Sequence, residues 1–271
     1  MLATALTAAV IGLAGLALHL RPFAERIDGF WRAGGTFEYP PALAVMCACG
    51  IACALALHAR GGLGRDTAVV SVVALAAASL GTADRAGLVL ELAVVVAFWA
   101  SQPVVRPVVA WAGPIVALVG VAAVMLLAPS PSRLLGHLGH DPFAGRAAVA
   151  VDAVRAMLDR PLAGFGPGGF THIYAGMTNP PAIALAHDQV LEQGVEAGLA
   201  AAAGVLAVLV AGLARSLRQI RGTDPARLAF ALSAAVLLLA GLYDFTWSFA
   251  PLAATAVIML GRLASAPPGA G

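Results

Sequence analysis

Few residues of this chain are suited to acid–base or anion chemistry, and several gather in one stretch. The segment AHDQVLEQGVEAGL, residues 186–199, places His187 just ahead of Asp188, Glu192 and Glu196, three carboxylates at i, i+4 spacing along one helical stripe. An imidazole exchanges its proton near neutral pH, which suits a general base. A histidine at a membrane interface also serves simply as an anchor or cap, so both readings stand. Asp188 and Glu192, at the start of a helix, complement the positive end of its dipole. Glu196 lies deeper along the same stripe and requires a partner or a water-filled cavity.

A second group lies on a helix expected over residues 145–160. At about 100° per residue, Asp152, Arg155 and Asp159 share one face, with the i, i+3 and i, i+4 spacings of a solvated ion-pair network. Arg146 points elsewhere and has no carboxylate at pairing distance on its own helix, which makes it the better anion-binding candidate. Arg160 returns near the charged face some 21 Å further along the rise, so one phosphate cannot meet both guanidiniums. The segment GFGPGG, residues 164–169, fits the spacing GxGxxG, but no strand is expected before it. A tight turn is therefore favoured over a dinucleotide fold. His137, His140 and Asp141 form HxxHD, a metal site only if a third protein ligand converges on it. Glu91 and Asp244 are carboxylates within or beside apolar segments, where a functional role and an internal ion pair are both open readings.

The elements that must position these residues follow from composition. The chain has 271 residues, of which 61% are hydrophobic and 11% charged, with a mean hydropathy of +0.90. A soluble domain carries about a quarter charged residues, so water is not the main solvent here. Apolar runs approach the ~20 residues that a helix needs to cross a bilayer. They fall at residues 3–20, 41–58, 67–82, 86–101, 107–128, 190–214, 228–243 and 249–263. The expected fold is all-α, a polytopic transmembrane bundle of about eight spans with one long loop containing short helices. Residues 1–128 hold the first five spans, 129–187 the loop, and 188–271 the last three. Arg60, Arg65, Arg106, Arg215, Arg218, Arg221, Arg227 and Arg262 then share one side, and Arg21, Arg26, Arg32 and Arg85 the other. Arginine excess marks the cytoplasmic side, which puts both termini inside and the long loop outside. The first span lacks a basic leader and a small-residue cleavage site, so an uncleaved anchor is expected. Cys47, Cys49 and Cys53 fall in one span and read as small packing residues. A net charge of +2 gives no electrostatic support to a nucleic-acid partner.

Three segments, in order, carry a family resemblance: RAGGTFEYPPALA at residues 32–44, GRAAVAVDAVRAMLDRPLAGFGPGGF at 145–170, and AHDQVLEQGVEAGL at 186–199. Together they resemble the O-antigen ligase and polymerase superfamily of bacterial envelope enzymes, from about Arg32 to the C-terminus. The resemblance implies a membrane glycosyltransferase that moves a glycan from an undecaprenyl-diphosphate donor to a hydroxyl of a lipid or glycan acceptor, with inversion. It implies no cofactor and no essential metal. Its partners would be that donor, its acceptor, membrane lipids and other polysaccharide-assembly proteins, and its location the bacterial inner membrane with the loop in the periplasm. By position, His187 resembles the general base, while Arg32 and Arg146 resemble the cations on the donor diphosphate. Arg160, Asp188 and Glu192 are secondary candidates. The chain departs from the family pattern in three ways. Asp188 stands where Asn is usual and sets a carboxylate beside His187, Pro41 replaces the Asn of a PN element, and the family has further N-terminal spans. Two other functions are expected to compete: a non-catalytic or degenerate partner in polysaccharide assembly, motivated by those departures, and a small transporter or flippase, motivated by Glu91 and Asp244.

Overall fold

The computed structural model of the chain describes residues 1–27, 30–127, 146–177, 186–220, 224–244 and 246–265. Among the described residues are eleven α-helices and one two-stranded sheet. Helix α1 is Leu2–Leu18, followed by strands β1, Ala24–Ile27, and β2, Phe30–Ala33; α2 is Pro40–Ala59, α3 Arg65–Thr82, α4 Arg85–Ser101 and α5 Arg106–Leu127. After residues 128–145 come α6, Arg146–Asp159, α7, Gly169–Met177, α8, Gln189–Ala197, α9, Leu199–Ile220, α10, Pro225–Tyr243, and α11, Ala250–Ser265.

Among the described residues, five segments are long and apolar enough to cross a membrane: Pro40–Ala59, Arg65–Thr82, Pro103–Val121, Leu199–Ile220 and Pro225–Tyr243. The helices Leu2–Leu18 and Ala250–Arg262 are apolar but shorter, and α4 has 17 residues. The fold is thus that of an all-α membrane protein in its coarse class.

The centre of the bundle is α2, which is apolar all round and buried at nearly every position, as a helix without a polar face must be. Prolines 40 and 41 open it, at positions where a missing N–H leaves no intrahelical bond unmade. Its many alanines, glycine and cysteines let neighbours approach closely. A Cβ on Gly50 would stand 2.7 Å from that of Ala5. Cys47 and Cys49 are buried free thiols in this packing. Helix α10 lies against α2 and is likewise mostly buried, capped by Asp224, whose side chain accepts from the N–H of Ala226. Helix α9 and the span over α5 expose most of their apolar surface, the side that lipid would cover.

Two local features differ from the sequence-based expectation. The short β1–β2 ribbon departs from a purely helical chain. Its strands of four residues are too short to show an alternating signal, and their register sets Glu25 opposite Arg32, a favourable cross-strand charge pair. The span expected over residues 190–214 is two helices, α8 and α9, parted at Gly198, whose φ is +87°. Gly198 can break the helix there because it alone tolerates that conformation without a Cβ penalty.

The turn that follows the ribbon is packed on α1 through glycine. Gly35 has φ +58°, and a Cβ there would stand 2.7 Å from the carbonyl oxygen of Ala8. Gly35→Ala is therefore expected to destabilise the protein by about 1–3 kcal/mol. A lowered unfolding temperature in detergent checks this, and an unchanged one contradicts it.

Candidate functional site

One end of the bundle collects the C-termini of α1, α3 and α10 and the N-termini of α2, α4, α8 and α11. Long-range bonds tie these ends together. Arg32 Nε on β2 donates to the carbonyl of Thr82 at the end of α3, 2.6 Å away. Tyr39, at the N-cap of α2, donates its hydroxyl to the carboxylate of Asp244, 2.8 Å from each oxygen. His187 Nδ1 lies 3.3 Å from the same carboxylate.

Asp244 is fully buried at the C-cap of α10, and the His187 side chain is 19% accessible. A buried carboxylate must be matched by hydrogen-bond donors or the loss of hydration dominates. Tyr39 and His187 supply them from α2 and from the entry to α8. Phe249 stacks on Tyr39 with centroids 5.4 Å apart, and Phe37 meets Phe249 edge-on at 6.4 Å, so aromatic rings flank the Tyr39 end of the chain. When the imidazole is neutral and the carboxylate accepts, Nδ1 carries the ring proton and the lone pair is left on Nε2. A carboxylate that fixes tautomer and ring orientation in this way is the support a histidine base needs.

His187 itself has φ +55°, a left-handed turn that ends the incoming chain just before α8. Asp188 then caps α8, accepting from the N–H groups of Val190 at 2.8 Å and Leu191 at 3.0 Å. The carboxylate bonded to His187 is therefore Asp244, whereas Asp188 is directed to the helix backbone. Asp and Asn are equivalent N-caps, so the residue at 188 keeps the same local role with either side chain. Burial pushes the Asp188 carboxyl up, opposed by its bonds from Leu191 and Val190.

Glu192 is buried and accepts from the N–H of Ala186, 2.6 Å away. Burial raises its carboxyl above the ordinary value; the Ala186 bond opposes that rise, Glu196 adds to it and His187 opposes it. Glu196 finds its partner in the backbone, accepting from Gly168 N at 2.6 Å.

That bond explains the glycine-rich segment. Gly164, Gly166 and Gly168 all have positive φ, at 62°, 85° and 71°. The N–H of Phe165 donates to Val195 and that of Gly166 to Glu196. A Cβ on Gly164 would fall 2.5 Å from the Glu196 carbonyl oxygen and 2.6 Å from Ala197 N. The segment is a strap that lays its backbone directly on the end of α8, as the tight-turn reading expects. Beneath it, Val149, Ala153, Ala156, Phe170, Ala186 and Val195 form a small apolar core separate from that of the bundle.

The other candidates separate. Arg155 pairs with Asp152 at 3.2 Å, the structural role read from its spacing. The guanidinium of Arg160 sits 4.5 Å over the ring of Phe165. Arg146 opens α6, and its side chain lies outside the described residues, as do His137, His140 and Asp141. Arg32 and His187 are brought to the same end of the bundle through Tyr39 and Asp244. Sequence reasoning missed Tyr39, and it marked Asp244 without joining it to His187. They lie 205 and 57 residues from their partners, and no local spacing signals such pairs. Compared with family models and with curated proteins, the chain matches none.

Glu192 gives this site a testable pH dependence. Its carboxyl is raised in the folded chain, so the native state holds that proton to higher pH than the unfolded chain does. The contribution is most favourable below the ordinary value of 4.5 and is lost as pH rises through the raised one. Glu192→Gln, which keeps an oxygen for Ala186, is expected to unfold at a higher temperature than the native chain at neutral pH and to lose that advantage near pH 4. Parallel melting curves across this pH range would contradict the assignment.

Proposed function

We propose that the protein is a lipid-linked glycan ligase or polymerase, with His187 as the base that activates the acceptor hydroxyl. The observation that carries this reading is the imidazole fixed through Nδ1 by buried Asp244, itself held by Tyr39, at the bundle end where Arg32 also lies. The resemblance of the three sequence segments supplies the substrate class.

In this reading the acceptor hydroxyl gives its proton to His187 Nε2 as its oxygen bonds to the anomeric carbon of the donor glycan. The bond from that carbon to the diphosphate oxygen breaks on the opposite face, inverting the centre and releasing undecaprenyl diphosphate. Arg32 and Arg146 are assigned to the charge that grows on the departing diphosphate, where guanidiniums match phosphate oxygens two at a time. Asp244 acts through the imidazole as a positioning residue, and Tyr39 through Asp244. The chain needs no metal in this scheme, since the leaving group is already a good one and its charge is met by arginine. The protein would sit in the bacterial inner membrane with eight spans, both termini in the cytoplasm and the loop over residues 129–187 in the periplasm.

Purified protein given an undecaprenyl-diphosphate glycan and a hydroxyl acceptor tests this. His187→Ala is expected to lower transfer by about 100- to 10,000-fold, the usual worth of a general base. Asp244→Asn should lower turnover while leaving donor binding intact. Turnover unchanged by His187→Ala would remove the histidine from the chemistry. A native chain that transfers nothing yet co-purifies with an active polymerase would favour the assembly-partner reading.

A further inference from the structure

Helix α6 lies outside the five long spans and is apolar on two opposite faces. Val149, Ala153 and Ala156 face the small core beneath the glycine strap. On the other side Val151, Val154 and Leu158 are exposed, at 50%, 38% and 60%, and Leu162 in the following turn is 92% exposed. Positions 151, 154 and 158 follow the i, i+3, i+7 pattern of a single stripe, and Leu162 follows in the turn after the helix ends at Asp159. Asp152 and Arg155 lie along its flank, paired with one another at 3.2 Å. An aliphatic stripe of this kind, rimmed by charge, marks a contact surface.

The turn after this helix adjoins the start of a neighbouring span. Leu199, the first residue of α9, donates its N–H to the carbonyl of Pro161 at 2.7 Å, and a Cβ on Gly198 would fall 2.8 Å from the carbonyl carbon of Leu162. The end of α6 therefore sits at the point where α9 enters the bilayer. Helix α9 carries Arg215 and Arg218 toward its far end, and the apolar stretch 199–214 before them covers about 24 Å at 1.5 Å per residue, short of a hydrocarbon core of about 30 Å. Leu199 therefore lies just within the apolar layer, and Leu162 stands beside it. Leu199, Leu206 and Val210 are exposed on one face of α9 and Val208 on the other, and the exposed Leu162 adjoins the start of that helix.

We propose that α6 and the turn after it lie on the bilayer leaflet that α9 enters, with Val151, Val154, Leu158 and Leu162 seated among the upper acyl chains. This is the arrangement of an interfacial amphipathic helix, its apolar stripe immersed and its charged flank at the headgroups. Arg160, the residue after the helix, is held over Phe165 at 4.5 Å. The inference rests on the spans and on α6 alone and is independent of any transfer reaction. Immersion is deepest at Leu162 and becomes shallower toward Val151.

The native chain in nanodiscs of phosphatidylethanolamine and phosphatidylglycerol, doped with a phospholipid carrying a diazirine in its acyl chain, tests the proposal directly. After photolysis, adducts are expected at Leu158 and Leu162 as well as at Leu206 and Val208 of α9, with severalfold less on Asp152. The double variant Leu158→Asp, Leu162→Asp should lose the adducts on the 151–162 segment severalfold and keep those on α9. Labelling of α9 with none on the native 151–162 segment would overturn the proposal. So would protection of that stripe by cross-linking to a second copy or to another protein.

Discussion

A carboxylate withdrawn from water is the constraint around which the loop end of this bundle is arranged. Asp244 has no exposed surface, and an ion in that position costs several kcal/mol unless donors replace its lost hydration. Tyr39 and His187 do so from two other elements, and in meeting that requirement they bring the start of α2, the end of α10 and the entry to α8 together. The same bonds that stabilise the carboxylate orient the imidazole. A residue placed for folding and a residue placed for chemistry are therefore one and the same here, and substitution at Asp244 acts on both.

Backbone geometry supplies the second half of the arrangement. The glycine strap at residues 164–169 lies so close to α8 that a side chain on Gly164 would collide with the Glu196 carbonyl. Its amides in turn bond Val195, the Glu196 carbonyl and the Glu196 carboxylate. Gly198 then breaks the helix, and Leu199 begins the span. His187 is thereby set at the head of a short helix held on one side by the strap and on the other by α10. The acidic residues of that helix are occupied locally: Asp188 caps it, Glu192 secures Ala186 and Glu196 secures Gly168.

The helices were legible in the sequence because a membrane span writes its period and length in apolar residues, as α2, α3 and α10 do. The ion pair of Asp152 with Arg155 was legible because its partners share one helix face. The break at Gly198 was not, since an isolated glycine in an apolar run reads as part of the span until the close approach of Pro161 and Leu162 is seen. The bond between His187 and Asp244 was not legible for a related reason. Asp188 is adjacent in the chain, but the helix start directs its carboxylate to backbone N–H groups, whereas Asp244 comes from the C-cap of α10, 57 residues away. The ribbon bearing Arg32 was hidden by its brevity, each strand being four residues long.

A double-mutant cycle on unfolding in detergent, combining Tyr39→Phe with Asp244→Asn, bears most directly on the buried carboxylate as the organising group. If the tyrosine hydroxyl stabilises the fold through that carboxylate, the two substitutions share one interaction. The expected coupling is about 0.5–3 kcal/mol, with the double variant less destabilised than the sum of the singles. Effects that add to within about 0.3–0.5 kcal/mol would contradict the account.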